Sequence, residues 1–158
     1  MKLLSRLFAN SQRGSSLIEI VVATGVMALV LTAILSGLTL SLKTNAESEY
    51  RSHAVKRAQE GLEVFRRERT LLGWDIFVAG FTSDTYYCLQ TLPAPKTAFT
   101  TGECGADDSI VISGVDFYRQ AWVTINSSDP SNLQMQVNVS VRWPTGNVEL
   151  SQLFRQWE

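Results

Sequence analysis

The most constraining feature of this sequence is a stretch of 23 residues without a charged side chain, from Ile20 to Leu42. As an α-helix it would be about 34 Å long at ~1.5 Å per residue. That length is enough to cross a hydrocarbon core of ~30 Å with a modest tilt. It also exceeds what the core of a small soluble protein usually surrounds. The stretch therefore predicts a transmembrane helix rather than a buried helix of a soluble protein.

The charges in front of this stretch predict its orientation. Lys2, Arg6 and Arg13 precede it, and no acidic residue occurs among the first 18 residues. The excess of cations places the N-terminus in the cytoplasm, so residues 43–158 are expected on the far side of the membrane. A secretory signal peptide has an apolar region of only ~7–15 residues followed by a small-residue cleavage site. This stretch is longer, and no A-x-A pattern follows it.

The junction between the basic leader and the apolar stretch carries a short motif, QRGSSLIEI at residues 12–20. It resembles the class III signal of type IV prepilins and type II secretion pseudopilins. The resemblance implies that a membrane prepilin peptidase cuts between Gly14 and Ser15, on the cytoplasmic side, and methylates the new amine of Ser15. The mature chain would then have 144 residues, 158 minus 14, and Glu19 would be its fifth residue.

Glu19 is the only ionisable residue between Arg13 and Lys43. A carboxylate near the end of a membrane helix costs about 2–3 kcal/mol on insertion scales, so it persists mainly where a partner is available. The resemblance supplies that partner, because in this family the glutamate meets the N-terminal amine of a neighbouring subunit. Glu19 also lies in the first turn of the processed helix, where the macrodipole favours an anion. The alternative is that Glu19 is an ordinary juxtamembrane charge of a signal anchor.

Two positions depart from the commonest pattern of this family. Ser15 stands where many members have an aromatic residue, which bears on how efficiently the new amine is methylated. Many major pilins also have a proline midway along the apolar segment, whereas here only Gly25, Ser36 and Gly37 could loosen the helix. The missing proline favours a minor component of a filament over its bulk subunit.

After Leu42 the helical pattern continues with mixed charges. An apolar residue recurs every three or four positions, which predicts an amphipathic helix with one narrow buried stripe. The stripe residues are Ala46, Tyr50, Ala54, Ala58, Leu62 and Phe65. Gly73 predicts the end of this helix, and the arginines before it suit the negative pole of the helix dipole. The charged residues between the stripe positions are interpreted as a solvated helix face.

The C-terminal part of the chain shows strand patterns and turn formers. The clearest strand runs from Leu133 to Trp143, where apolar and polar residues alternate. A turn at 144–147 leads to a predicted partner strand at Val148–Trp157. Two more strands are predicted at Ser109–Val115 and Phe117–Ile125. The predicted fold is α+β and pilin-like: a long N-terminal helix, transmembrane in its first half and amphipathic in its second, packed on a small antiparallel β-sheet head.

These patterns divide the chain into four parts. They are a leader at 1–14, a transmembrane and polymerisation segment at 15–42, an amphipathic stem at 43–72 and a globular head at 73–158. Two short stretches, AQEGLE at 58–63 and VRW at 141–143, look like V-type minor pilins. This second resemblance favours a minor pilin over a secretion pseudopilin, which has the same leader and head architecture.

Cys88 and Cys104 are the only cysteines, and both lie in the predicted head. Compartments outside the cytoplasm are oxidising, so the two are predicted to form a disulfide. Closing a loop of about 15 residues contributes roughly 3 kcal/mol in the chain-entropy model. The segment Thr82–Asp108 is expected to be a surface loop that this bond ties down. With His53 as the only histidine, the chain has too few ligands for a zinc site.

The sequence predicts neither catalysis nor a cofactor. Motifs of serine hydrolases, phosphate-binding loops, zinc proteases and EF-hands are absent. The net charge at 73–158 is −5, from four basic and nine acidic side chains, which argues against direct binding of nucleic acid. The prediction is a minor pilin-like structural subunit of the inner membrane, with prepilin peptidase and other pilins or pseudopilins as partners. The alternatives are a type II secretion pseudopilin and a signal-anchored extracytoplasmic enzyme or binding domain.

Overall fold

The computed structural model describes residues 12–92, 99–126 and 133–156, with side chains from Leu17 onward. Within these ranges the chain forms an α+β fold, as predicted, with two α-helices, six β-strands and one short 3₁₀ helix. The elements are α1 (Gln12–Leu72), α2 (Trp74–Ala79), β1 (Thr85–Cys88), β2 (Thr100–Thr101), the 3₁₀ helix Ala106–Asp108, β3 (Ile110–Ile112), β4 (Val115–Asn126), β5 (Gln134–Trp143) and β6 (Gly146–Arg155). Contacts divide the chain into two units, one ending at Ala46 and the other beginning at Glu47.

The first unit contains the apolar part of α1. Its most apolar window of 18 residues has a mean hydropathy of 2.4, and no residue in that window is buried. The helix is long enough and apolar enough to cross a membrane. By length and composition it is therefore a candidate membrane span.

In the second unit, residues 47–72 of α1 form the stem, which packs on one face of the sheet. The predicted apolar stripe is confirmed, because Ala54, Ala58 and Phe65 are fully buried and Leu62 is 6% exposed. Between these positions Lys56, Gln59, Glu60 and Glu63 are exposed, while Gly61 and Val64 are buried beside the stripe. The amphipathic pattern of the sequence thus decides which side of the stem meets the sheet.

Helix α1 ends where the sequence predicts, at Gly73. This glycine has a positive φ of 77°, and its N–H donates to the carbonyl of Arg69 at 3.0 Å. Helix α2 follows at once and buries Phe77 and Val78. It was not predicted, because six residues are too few to show a helical period.

All strand pairs in the described part of the sheet are antiparallel. The strand order is β2-β1-β4-β5-β6, and β3 also pairs with β4. Strand β5 pairs with β6 along its whole length and with β4 from Gln134 to Arg142. The β5–β6 hairpin closes at the pair Trp143–Gly146, so only Pro144 and Thr145 form its loop.

The core lies between the sheet and the helices packed on it. Alternate residues of β4 and β5 are buried, which is the pattern of strands with one face covered. The fully buried apolar residues of these strands are Phe117, Ala121, Val123, Met135, Val137, Val139 and Val141. Aromatic rings extend the core under α2, where Phe77 packs edge-on against Phe81 and Phe154 with centroids 5.5 and 5.6 Å apart.

The stem approaches strand β5 closely at Gly61. A Cβ atom placed on Gly61 would lie 2.9 Å from Cγ1 of Val139 and 3.5 Å from Cδ1 of Leu89. Ala54 and Ala58 are also small and buried on the same stripe. The small residues therefore let the helix backbone pack directly on the side chains of the sheet.

Glu47 holds the tip of the β5–β6 hairpin to the start of the stem. One of its carboxylate oxygens accepts a hydrogen bond from Nε1 of Trp143 at 3.2 Å, and the other accepts one from the hydroxyl of Thr145 at 2.7 Å. Gly146 gives the indole its room, because a Cβ there would lie 2.7 Å from the Trp143 ring. The hairpin loop and the stem are thus fixed to each other at this end of the head.

A strand lies within the predicted range Ser109–Val115, but its predicted end was wrong. Strand β3 ends at Ile112, and Ser113 and Gly114 form a two-residue turn into β4. Their φ angles of 51° and 77° are both positive, as in a type I′ hairpin turn. The Ser-Gly pair is a weaker hairpin signal than Asn-Gly or Asp-Gly, which is why the break between the two predicted strands was placed at Asp116 instead of at this turn.

The description of Thr82–Asp108 as a loop without a core of its own was also wrong. Strand β1 lies in this segment and pairs with β4, and β2 pairs with β1. Tyr87 and Leu89 are buried and belong to the main core. The strand was missed because four residues are too few to show alternation.

We expect Gly61→Leu to lower the free energy of unfolding by about 1–3 kcal/mol, because the new side chain would overpack against Val139. Leucine is the better helix former, so helix propensity alone predicts the opposite sign. Urea unfolding of the full chain in detergent, followed by circular dichroism, measures the change. Gln59→Leu, on the exposed side of the same helix turn, is the matched control. Equal stability of the two variants would contradict the close packing.

Candidate functional site

The part of α1 from Leu17 to Leu42 presents apolar side chains on all sides of the helix. Its large apolar residues are 53–72% exposed. A continuous apolar surface of this size marks a membrane or protein interaction site, since water solvates it poorly. This part of the helix is therefore a candidate surface for contact with lipid or with other helices.

Several hydroxyl side chains on this surface are already bonded to the backbone of their own helix. Thr24, Thr32, Ser36 and Thr39 each donate to the carbonyl four residues earlier, at 2.8–3.1 Å. A hydroxyl bonded in this way enters lipid or a helix interface without leaving an unsatisfied donor. The polar atoms of these residues therefore do not oppose burial of the segment.

The glycines of this segment leave gaps in the helix surface. A Cβ atom on Gly25 or Gly37 would meet nothing within 4 Å. Helix α1 is continuous through both positions and through Ser36, which the sequence analysis had identified as places where it could loosen. Small residues such as these allow close approach of a second helix in a membrane.

Glu19 is the single charged residue from Leu17 to Leu42. Its side chain is exposed, and among the residues whose side chains are described it has no ion pair. A carboxylate that enters lipid or a helix bundle without a cation carries a large desolvation cost. Glu19 therefore requires a cation from beyond the described side chains if this surface is to be buried.

The bond at which the sequence predicts cleavage, between Gly14 and Ser15, lies in the first turn of α1, which begins at Gln12. Ser15 precedes Glu19 by four residues, or about 6 Å along a helix at ~1.5 Å per residue. Cleavage there would make Ser15 the first residue of the helix. It would place a new ammonium group about one turn from the carboxylate.

The basic residues of the predicted leader contribute no described side chain. Lys2 and Arg6 lie outside the described residues, and only the backbone of Arg13 is described, as part of α1. The orientation inferred from these three charges stays a prediction from the sequence.

In the head, Arg119 of β4 is buried among the apolar residues that face the stem, with 2% of its surface exposed. Its Nε donates to the carbonyl of Leu89 at 2.9 Å. Its Nη1 donates to the carboxylate of Glu60 at 3.1 Å and to the carbonyl of Arg57 at 3.3 Å. The guanidinium thus joins three segments: the stem, strand β4 and the residue that follows β1.

Two features of its surroundings shift the pKa of Arg119 in opposite directions. Burial lowers the pKa of Arg119 below its usual value, and the carboxylate of Glu60 acts in the opposite direction. Glu60 is 48% exposed and also pairs with Arg57 at 2.8 Å, so the ion pair itself contributes little to stability. The greater effect comes from the carbonyl groups, which would lose their donor if the guanidinium were removed.

Cys88 and Cys104 form a disulfide, as predicted, with Cα atoms 4.9 Å apart. Both residues are buried, at 4% and 7% exposure. The N–H of Leu89, next to Cys88, donates to the carbonyl of Arg119 at 2.9 Å. The disulfide therefore lies next to the hydrogen bonds that attach the end of β1 to β4 and the stem.

The remaining candidates for site chemistry have structural partners. The described residues contain no group of three or more His, Cys, Asp or Glu side chains placed to hold a metal ion. His53 lies 3.7 Å from the carboxylate of Glu49, one turn away on the stem. A carboxylate oxygen of Asp108 accepts the N–H of Gly105 at 2.8 Å and so caps the 3₁₀ helix.

The roles of Arg119 and Glu47 were not predicted from the sequence. A signal for Arg119 existed, because it is the one charged residue at the inward positions of the predicted strand Phe117–Ile125. Glu47 has no such signal, since its partners Trp143 and Thr145 are 96 and 98 residues away in the chain. Only the folded structure brings the three together.

Comparisons of this chain with protein-family models, curated proteins and solved structures found no match. The α+β fold is therefore assigned from the structure itself. The resemblance to prepilins depends on the motif at residues 12–20 and on the shorter stretches quoted with it.

We expect Arg119→Met to lower the free energy of unfolding by about 2–3 kcal/mol, because it leaves the buried carbonyls of Leu89 and Arg57 without their donor. Chemical denaturation of the full chain in detergent measures the loss. Arg51→Met, an exposed arginine on the stem, is the control and should change stability by less than about 0.5 kcal/mol. Similar losses in the two variants would mean that the Arg119 hydrogen bonds are not what secures the stem.

Proposed function

We propose that this protein is a minor pilin-like structural subunit, processed by a prepilin peptidase and incorporated into a type IV pilus or helping to initiate its assembly. The observation that carries the proposal is one carboxylate, Glu19, on a helix surface that is otherwise uncharged and fully exposed, five residues after the predicted cut. The protein acts in this role through helix packing and needs no catalytic group of its own.

The carboxylate gives the assembly its specificity. Pairing Glu19 with the N-terminal ammonium of a neighbouring Ser15 offsets the desolvation of both groups. That ammonium exists only after the bond between Gly14 and Ser15 is cut, so processing has to precede incorporation. Each subunit then offers one carboxylate and one amine. The contact that these two groups form between subunits is heterologous, and it repeats along a helical polymer.

Before assembly, the apolar part of α1 holds the protein in the inner membrane. Its length and hydropathy support this stage. The N-terminus lies in the cytoplasm and the head on the far side. The Cys88–Cys104 disulfide suits a head in that oxidising compartment.

A type II secretion pseudopilin is the second candidate, because it would use the same leader, the same carboxylate and the same fold. Purification of assembled filaments distinguishes the two. A type IV pilus subunit is recovered with surface pili sheared from the cells, whereas a pseudopilin stays with the cell envelope and its loss blocks secretion. The third candidate, a signal-anchored domain, keeps its leader and joins no filament.

We expect the membrane-extracted protein to lack residues 1–14 when an active prepilin peptidase is co-expressed. Intact-mass spectrometry then gives a 144-residue chain that begins at Ser15, with or without one added methyl group. The same cells carrying an inactive peptidase provide the control. A chain that retains its leader beside a peptidase that processes a known prepilin would rule out the proposal and favour the signal anchor.

We expect Glu19→Gln to reduce incorporation into sheared filaments at least about tenfold, the equivalent of ~1.4 kcal/mol, while the amount in the membrane stays unchanged. The substitution keeps the shape of the side chain and removes the charge that pairs with the amine. Quantitative immunoblots of the filament and membrane fractions measure both effects. Glu49→Gln, an exposed stem glutamate, is the matched control. Equal incorporation of both variants would refute the pairing.

A further inference from the structure

The face of the sheet that points away from the stem has an unusual composition. On β4 it carries the alternate residues Tyr118, Gln120, Trp122 and Thr124, all partly exposed, while their neighbours on the strand are largely buried. We refer to this side of the sheet as the open face. The strand register gives the side chains that lie next to one another across it.

Two aromatic rings form a platform near the middle of the open face. Tyr86 of β1 and Trp122 of β4 are direct neighbours in register, and their ring centroids are 4.4 Å apart with 54° between the planes. Both rings remain partly exposed. Each ring therefore offers its exposed part to a ligand as apolar surface while the two pack on each other at an angle.

Amide and hydroxyl groups continue from this platform across the sheet. Asn138 faces Trp122 in the register, and Ser151 of β6 follows it. Gln136 donates from Nε2 to Oδ1 of Asn138 at 3.3 Å and to the hydroxyl of Ser151 at 3.1 Å. Within the described residues this network leaves the Gln136 carbonyl and the Asn138 amide NH₂ facing outward with capacity for further hydrogen bonds.

A cleft borders the same network. It has a volume of about 350 Å³, at the lower end of the ~300–1,000 Å³ typical of small-molecule sites. Its lining residues are Thr124, Ile125, Asn126, Gln134, Gln136 and Leu153. Each of the six offers an amide, a hydroxyl or an apolar side chain, and none is charged.

The centre of the open face is uncharged. The register row through Trp122 and the next row, through Gln136, contain no ionisable group other than the Tyr86 phenol. On the other side of Trp122, the row through Gln120 contains one charged residue, Glu149. Arg142 and Arg155 lie in the rows at the two ends of the strands. A polyanion needs several clustered cations, so this surface does not suit one.

We propose that the open face binds a neutral oligosaccharide, with one sugar ring stacked on Trp122 and its hydroxyls bonded to Gln136 and Asn138. A pyranose has an apolar C–H face that packs on an aromatic ring. Its rim of hydroxyls both donates and accepts, as amide side chains do. This binding is independent of the assembly role proposed above, because it uses only residues of the sheet.

The test is a titration of the full chain with neutral glycans. The protein is purified in a zwitterionic detergent that contains no sugar, and cellotetraose, mannotetraose and N-acetylchitotetraose are added in turn. Saturation-transfer difference NMR reports binding and identifies the sugar protons in contact. We expect a saturable signal with at least one of the three and none with polygalacturonate, which is anionic.

Variants then locate the site. Trp122→Ala should weaken binding about tenfold through loss of the ring contact, and Gln136→Ala about fivefold through loss of hydrogen bonds. Trp74→Ala removes a tryptophan that contacts the stem end rather than this face, and should bind as the wild type does. Circular dichroism verifies that each variant is folded, and Asn138→Ala replaces Trp122→Ala if that variant unfolds. Absence of a saturable signal with all three glycans, or binding unaffected by the open-face variants, would overturn the proposal.

Discussion

The head depends on how closely one helix can approach one strand. Gly61 packs on Val139 of β5 with no room for a methyl group. Ala54 and Ala58 add only small side chains to the same buried side of the stem. Close packing of this kind gives many weak contacts at once and excludes water from the strand below. The sheet, the aromatic end of the core and the Glu47 contact are all positioned by this packing of the stem on β5.

The sequence was most informative where a pattern repeats over many residues. The apolar stretch, the stem stripe and the alternation in β5 were all long enough to predict their elements, and the last two also predicted which side is buried. Short elements such as α2 and β1 were missed because they span only a few residues. The Ser113–Gly114 turn was missed because its geometry depends on two φ angles that the residue types only weakly favour.

For the candidate sites, the motif at residues 12–20 is local, so the sequence itself could single out Gly14, Ser15 and Glu19. The disulfide could be predicted because the chain contains only two cysteines, and both lie in the part that is expected outside the cytoplasm. Arg119, Glu47 and the open face could not be predicted in the same way. Each depends on which distant segments become neighbours in the folded sheet. The local sequence patterns do not specify how the strands are paired and in which register.

The position of β5 in the chain has a consequence for how the protein is made. The stem is synthesised early, whereas Val139, against which Gly61 packs, belongs to one of the last two strands. While the chain is still growing on the ribosome, the stripe of the stem has no completed sheet to cover it, and exposed apolar surface of this kind favours aggregation. The head therefore closes late, and a nascent chain interrupted before β5 would lack the strand against which Gly61 packs.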